Sequence, residues 1–473
     1  MSMYASYAES GQAGGSNWKA AFLLSVVAGY LLLGYGFMQV RVPPGTNGPP
    51  IGEFCLVVLL ASLNPVLALG RIARVVIILP FLIWWGYGLS RAIMGFGEYG
   101  FWALRDATHV VESLYLLVGF VMAGNRANMR LMATWVPAIL VAAAAYRFLM
   151  PVAEHLKPFS PIVYGGAGQP ISILLSFSHD LGGIVLLIAA LYLTLFDGHE
   201  ARSKLLRSAF LRSLLALVFI GFAVMLLQSR TVYLQIAFMG LLLFVYRPGA
   251  IARWGRVTPL VVLMFALLMA SGVTLVGRLG VETSWEFMLN HLLSTVGIAG
   301  EGVAEPASGV SLRVGWWTGI WKQLGASYGA MLFGMGYGMP LVDFGYAPIG
   351  AELTVTVREP HNSYISALAR LGAVGALALL WMHVQMTIVL IKNIALCRRA
   401  GWKDLESYHL LALAWFAMVW ILCFGEDGLE KPYIAIPYYL VWGAVLRFRY
   451  TVSVGGARTT PQPRSARARA FQS

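Results

Sequence analysis

The stretch AFLRSLLALVFIGFAVMLLQSRTVYLQIAFMGLLLFVYR, residues 209–247, consists of two apolar runs separated only by Gln228-Ser229-Arg230. A soluble amphipathic helix repeats apolar residues every three or four positions, but these runs are apolar on every face. Each approaches the ~17–25 residues that carry a helix across a bilayer. Working outward, similar runs lie near 20–40, 52–69, 72–90, 107–124, 131–149, 171–196, 209–226, 231–246, 257–277, 363–391, 407–424 and 433–447. Composition agrees: of 473 residues, 59% are hydrophobic and 12% charged, and mean hydropathy is +0.72. That excludes an ordinary soluble enzyme. The fold expected is an all-α integral membrane protein of about twelve transmembrane helices. The first run is too long for a signal-peptide apolar region and lacks a basic leader, so it is read as a retained span.

Lys+Arg exceed Asp+Glu by 34 to 21, but the excess is explained by topology. With both termini on one side, the short loops of that side hold Arg71, Arg74, Arg126, Arg130, Arg253, Arg256, Arg398 and Arg399, and the tail adds further arginines. The positive-inside rule then places both termini in the cytoplasm. No nucleic-acid partner is needed to account for the charge. Cys55, Cys397 and Cys423 lie in or beside apolar runs, with neither a disulfide framework nor metal-ligand spacing.

Four regions follow: spans one to nine over 1–277, an outer segment over 278–362, spans ten to twelve over 363–450, and a basic tail over 451–473 read as disordered. The segment 278–362, between spans nine and ten, is out of scale with the other loops, and function is expected there. It contains Val314-Gly315-Trp316-Trp317-Thr318-Gly319-Ile320-Trp321, suited to a helix on the membrane surface, and the turn-rich Gly334-Met335-Gly336-Tyr337-Gly338. It reads as one large structured loop on the periplasmic face.

The most informative stretch is Arg358-Glu359-Pro360-His361-Asn362-Ser363-Tyr364, which enters the tenth span from the outer side. Pro360 favours an extended residue before it, and Asn362 or Ser363 can cap the helix, so His361 falls just before a helix N-terminus. That position offers an anion site and depresses the imidazole pKa, leaving His361 neutral and able to act as general base. The alternative is an interfacial capping histidine. Arg230, at the outer surface, is either a snorkelling anchor or a guanidinium aimed at a phosphate. Arg313, beside Trp316, is similarly an anchor or a phosphate ligand. Arg358 and Arg370 are further phosphate-binding candidates, Arg370 being about two helical turns below Ser363, where an unpaired charge is costly.

His179-Asp180 offers a proton-relay pair, while Glu53, Glu112 and Arg147 are read as structural ion pairs or surface groups. Glu282, Glu301, Glu305, Asp343, Glu352 and Glu359 show no metal-site spacing, and no metal is assigned. No P-loop, dinucleotide fingerprint, zinc motif or nucleophile elbow occurs in a credible context, so the substrate must carry its own activation.

Gln228-Ser229-Arg230, Ser311-Leu312-Arg313 with Trp316 and Trp317, Gly334 to Gly338, and His361-Asn362-Ser363-Tyr364 with Leu371-Gly372-Ala373-Val374-Gly375 together resemble the bacterial O-antigen ligase and polymerase family over about residues 210–385. These are integral-membrane glycosyltransferases of the GT-C type. The resemblance implies inverting, metal-independent transfer of a glycan from undecaprenyl diphosphate to an acceptor hydroxyl, at the periplasmic face of the inner membrane, with no cofactor. It implies that His361 activates the acceptor and that Arg230 and Arg313 hold the diphosphate, with Arg358 and Arg370 as further diphosphate ligands and Asn362, Tyr364 and Trp316 in support. The expected partners are the lipid-linked glycan, the bilayer, the acceptor and a chain-length regulator. Lipid A-core as acceptor makes the chain a ligase; the next lipid-linked repeat unit makes it an O-antigen or exopolysaccharide polymerase; a protein acceptor is a third member of the class. The reading of a different class is a transporter or flippase of lipid-linked sugars, which would place its charges at the bilayer midplane and show inverted repeats. Neither feature is evident.

Overall fold

The computed structural model describes residues 18–42, 49–164, 170–196, 208–271, 304–344 and 358–458, with Glu286, Asn290 and Leu293 between them. Within those residues the expected apolar runs are helical, and the sheet is one hairpin pairing Ile162–Tyr164 with Pro170–Ser172 in the register Val163 to Ile171. Among the described residues five helices are long and apolar enough to cross a membrane: Arg126–Phe159, Ala209–Leu227, Pro248–Leu268, Ser363–Arg399 and Lys403–Cys423. Ile51–Ser62 and Pro65–Ile72 add a sixth if taken as one bent span, and Trp18–Leu33, Thr108–Met122, His179–Leu195 and Arg230–Tyr246 are shorter apolar helices. The chain is an all-α, multi-pass membrane protein.

About twelve spans were expected, and local chemistry explains why several of the apolar runs are bent or shortened. The second run turns by 86° at Asn64, whose Oδ1 accepts from the Leu67 N–H at 3.0 Å while Pro65 opens the new helix. The third run is divided among Leu79–Leu82, a wide π turn at Ile83–Tyr87, and Gly88–Tyr99. The sixth begins at His179 rather than near 171, because Pro170–Ser172 is spent on the hairpin and Ser178 caps the helix by accepting from the Leu181 N–H. The ninth is described to Ala270, and the last helix continues to Arg458, into the region read as tail. Residues 459–473 of the tail, and the parts of 278–362 not named above, lie outside the described residues.

Helix His179–Leu195 is buried on every side from Leu181 to Leu191, so it forms the axis of the bundle. Around it pack Arg126–Tyr146, Ala209–Leu227 and Lys403–Cys423. Leu241, Phe244 and Leu263 of the flanking helices are exposed, as lipid-facing apolar side chains are. Arg147, wholly buried, donates to the Leu31 and Leu32 carbonyls at 2.9 and 2.7 Å. The carboxylate oxygens of Glu53 and Glu112 are buried, not on the surface, and have no hydrogen-bond partner among the described residues.

The helix Ser363–Arg399 positions the site. It is broken at Gly372, with φ at 63°, a left-handed conformation that glycine adopts without penalty. The break frees the Ala369 and Arg370 carbonyls, which accept from the Met335 and Gly336 N–H groups at 2.7 and 3.0 Å. The two backbones approach so closely that a Cβ on Gly372 would meet the Gly334 nitrogen at 2.4 Å. The glycine-rich turn is thereby docked onto the kink. At the opposite end of the bundle, Arg247 and Arg398 both pair with Glu406 at 3.0 Å.

Candidate functional site: a histidine between carboxylates at a helix start

Asn362 caps Ser363–Arg399. Its Oδ1 accepts from the Tyr364 and Ile365 N–H groups, each at 3.0 Å, and its Nδ2 donates to the Phe424 carbonyl at 3.0 Å. The cap therefore occupies the helix-terminal donors expected to bind an anion. It also ties the helix start to the loop between Lys403–Cys423 and Pro432–Arg458. Tyr364 completes that tie, its ring 4.7 Å from Phe424. Preceding the cap, His361 has φ at 52°, a conformation costly for a residue with a Cβ and retained where surrounding contacts impose it.

Those contacts are carboxylates. Nδ1 of His361 lies 3.2 Å from Oε2 of Glu426 and 3.4 Å from Oδ1 of Asp427. Trp316 flanks the imidazole at 5.9 Å between rings, and Trp317 donates from Nε1 to the Pro360 carbonyl at 2.9 Å. Arg313 reaches the other oxygen of Glu426 at 3.0 Å. Behind this group Lys431 lies 2.7 Å from Asp427, 2.8 Å from Asp180 and 3.6 Å from Glu426. Asp180 thus forms an ion pair with Lys431. Ser363 donates to Glu430 at 2.5 Å and accepts from the Leu429 N–H, closing the loop onto the helix.

The electrostatics overturn one expectation. Burial pulls the His361 pKa down, but the hydrogen bonds and charges of Asp427 and Glu426 outweigh it and raise the pKa to about 9. The imidazole is therefore mainly cationic at neutral pH, not neutral, because two full carboxylate charges in contact exceed the partial charge of a helix terminus. For Glu426, burial raises the pKa, but the hydrogen bond from His361 and the charges of Lys431 and Arg313 win, lowering it to about 2. Asp427 is held low in the same way, chiefly by Lys431 and His361 against its burial. Glu430 goes the other way, to about 8, through burial and the charges of Glu359 and Asp427. His361, Glu426 and Asp427 offer three metal-ligand atoms within 4.8 Å of one another. In this arrangement the Lys431 ammonium already supplies the opposing positive charge.

Of the residues singled out in the sequence, His361, Arg313, Trp316, Asn362 and Tyr364 meet at this point. Arg230 opens its helix next to it, since the Thr231 hydroxyl lies 3.7 Å from where a Cβ on Gly425 would stand. Arg358 and Arg370 do not join as free phosphate ligands. Arg370 is wholly buried and paired with Glu359 at 2.7 Å and Asp106 at 3.0 Å; Arg358 pairs with Asp106 at 2.9 Å and lies over the Trp102 ring at 4.2 Å. Both are consumed in fastening 336–339 and 358–359 to the bundle. Glu426, Asp427, Lys431 and Asp106 were missed. The signal for the first three was present in Gly425-Glu426-Asp427-Gly428-Leu429-Glu430-Lys431, four charges crowded into one short loop.

Arg230, Arg313, Trp316, the docked glycine turn, the kink and His361 all fall within residues 215–380, which match the family model described as O-antigen ligase. The chain carries an O-antigen ligase family domain. No curated protein matches the sequence. The O-antigen ligase match ends within Ser363–Arg399, so the Glu426–Lys431 loop that completes the histidine's surroundings comes from outside it.

Proposed function

We propose that this chain transfers a glycan from an undecaprenyl-diphosphate carrier to an acceptor hydroxyl at the periplasmic face of the bacterial inner membrane, with lipid A-core as the acceptor. The observation that carries the reading is the pairing of His361 Nδ1 with Glu426, beside Arg313, inside an O-antigen ligase family domain. A carboxylate on Nδ1 fixes that nitrogen as the proton-bearing one and directs Nε2 outward, the arrangement that makes a histidine a positioned base. The neutral imidazole takes the acceptor proton at Nε2 as the hydroxyl oxygen attacks the anomeric carbon. The bond from that carbon to the diphosphate breaks on the opposite face, inverting the centre. Arg313, released from Glu426, and Arg230 stabilise the charge gathering on the departing diphosphate.

With a pKa near 9, only about 1% of His361 is neutral at pH 7, but that fraction is a correspondingly stronger base. The twelve-span layout and the periplasmic setting of 278–362 belong to this reading, as does catalysis without a metal, with Lys431 supplying the fixed positive charge. The same residues serve a repeat-unit polymerase, and the acceptor separates the two. Purified protein incubated with undecaprenyl-diphosphate glycan and lipid A-core in excess chelator should release undecaprenyl diphosphate. A single glycosylated lipid A-core supports the ligase, whereas a ladder of longer lipid-linked chains makes the protein a polymerase. Lipid movement across the bilayer with no diphosphate released would replace both with a transporter.

A further inference from the structure

The end of the bundle remote from His361 holds a cavity of about 190 Å³ lined by Asn64, Arg71, Phe120, Asn125 and Arg447 among others. Along Pro432–Arg458 it lies roughly 24 Å from Lys431, at ~1.5 Å per residue. Its lining includes two guanidinium groups and no carboxylate. Both asparagines have committed their acceptors: Asn64 Oδ1 takes the Leu67 N–H at 3.0 Å, and Asn125 Oδ1 takes the Ala127 N–H at 2.8 Å. What these two side chains have left is the amide NH₂, a donor. Arg447 is set in place by packing, its guanidinium 5.4 Å from the Phe120 ring and 5.5 Å from the Tyr450 ring. Arg71 lies 6.0 Å from the same Tyr450 ring, with no hydrogen bond or ion pair to a described residue.

Two fixed cations and two donor-only amides around one opening form a receptor for an oxyanion. We propose that this cavity binds a phosphate group, with Arg71 and Arg447 as the charged contacts. Two sources carry that group to the end of a helix bundle at a membrane boundary: the head group of an anionic phospholipid, and phosphate free in solution. The site is independent of the glycan-transfer reading, because none of its residues belongs to the His361 group.

The test is thermal unfolding of the full-length protein in neutral detergent, with added phosphatidylglycerol, phosphatidylcholine or inorganic phosphate. Stabilisation by phosphatidylglycerol, but not by phosphatidylcholine or inorganic phosphate, identifies the lipid head group; stabilisation by inorganic phosphate identifies the soluble ion. In either case Arg71→Gln should weaken the apparent affinity about fivefold, and Arg71→Lys, which keeps the charge, should weaken it less. Arg447 also packs on Phe120, so its variants can unfold for other reasons, and Arg71→Gln decides alone. Equal behaviour of all three additives, or stabilisation undiminished in Arg71→Gln, overturns the proposal.

Discussion

Nδ1 of His361 sits 3.2 Å from Oε2 of Glu426, and the opposite oxygen of the same carboxylate sits 3.0 Å from Arg313. One glutamate therefore divides itself between the proposed base and the proposed diphosphate ligand. Binding a diphosphate at Arg313 would loosen its hold on Glu426 and leave that carboxylate more fully to the histidine. Donor binding and the basicity of His361 are coupled through a single side chain.

Replacement of His361 by alanine removes the proton acceptor while leaving Asn362 as cap. Turnover should fall about 10²–10⁴-fold, the usual contribution of a positioned base, with the melting temperature near that of the wild type at pH 9, where the ion pair has weakened. In the wild type the transfer rate should climb with pH toward about 9. A rate that is flat from pH 6 to pH 9 would remove His361 as base.

Glu426→Gln abolishes one of the two charges that raise the histidine, leaving Asp427. The His361 pKa should move down toward its ordinary 6.5, and the rising limb of the pH–rate profile should move with it toward acid. Maximal rate should drop at the same time, since the neutral imidazole is then a weaker base. Rate profiles of the two proteins, or histidine titration by NMR, read the shift directly; superimposable profiles would assign Glu426 a packing role only.

Stability should carry the same signature with a definite sign. His361 is raised from 6.5 to about 9 on folding, so its contribution is complete below about 6.5 and is lost as pH rises through 9. Glu426 is lowered from 4.5 to about 2, so its contribution is complete above about 4.5 and is lost as pH falls through 2. The pair is at full strength between about 4.5 and 6.5. The melting difference between wild type and His361→Gln, measured across pH, should be greatest in that interval and shrink toward pH 9.

Arg370→Met and Arg313→Gln should fail differently. The first strands the Glu359 carboxylate, whose ion-pair partner is a wholly buried guanidinium, and leaves Asp106 to Arg358 alone; breaking such a buried pair costs about 3–5 kcal/mol. The protein should melt markedly lower or not accumulate. Arg313 is part-exposed and pairs with Glu426 alone among the ion pairs found, so its loss should leave folding nearly intact and reduce kcat/KM. Equal loss of stability in the two variants would make Arg313 another fastening residue.

The helical class was readable from the apolar runs because burial in lipid demands apolar residues on every face over a bilayer's length, which an amphipathic soluble helix does not show. What the apolar runs taken alone did not reveal was where they break: Asn64 with Pro65 acts through a side-chain cap within an otherwise apolar run, and the π turn at Ile83–Tyr87 and Gly372 act through backbone geometry. At the site, His361 and Asn362 were legible because capping is local in sequence. The charge state of His361 was not, because it depends on Glu426 and Asp427, more than sixty residues away. Arg358 and Arg370 misled for the same reason. An arginine near a membrane boundary looks unpaired until its partner is known, and Asp106 lies about 250 positions upstream of Arg358.

The interlock of Gly334 with Gly372 has a mechanical meaning. Residues from Ser363 to Leu371 form a short stub latched to the glycine turn, and the long remainder of the helix leaves that latch in a new direction. Bilayers differ in thickness, and a span adapts by tilting. A continuous rod would swing its end through such a tilt and drag His361 away from Glu426. With a hinge beneath the stub, the lower helix can lean as the lipid requires while the stub stays fastened to its turn.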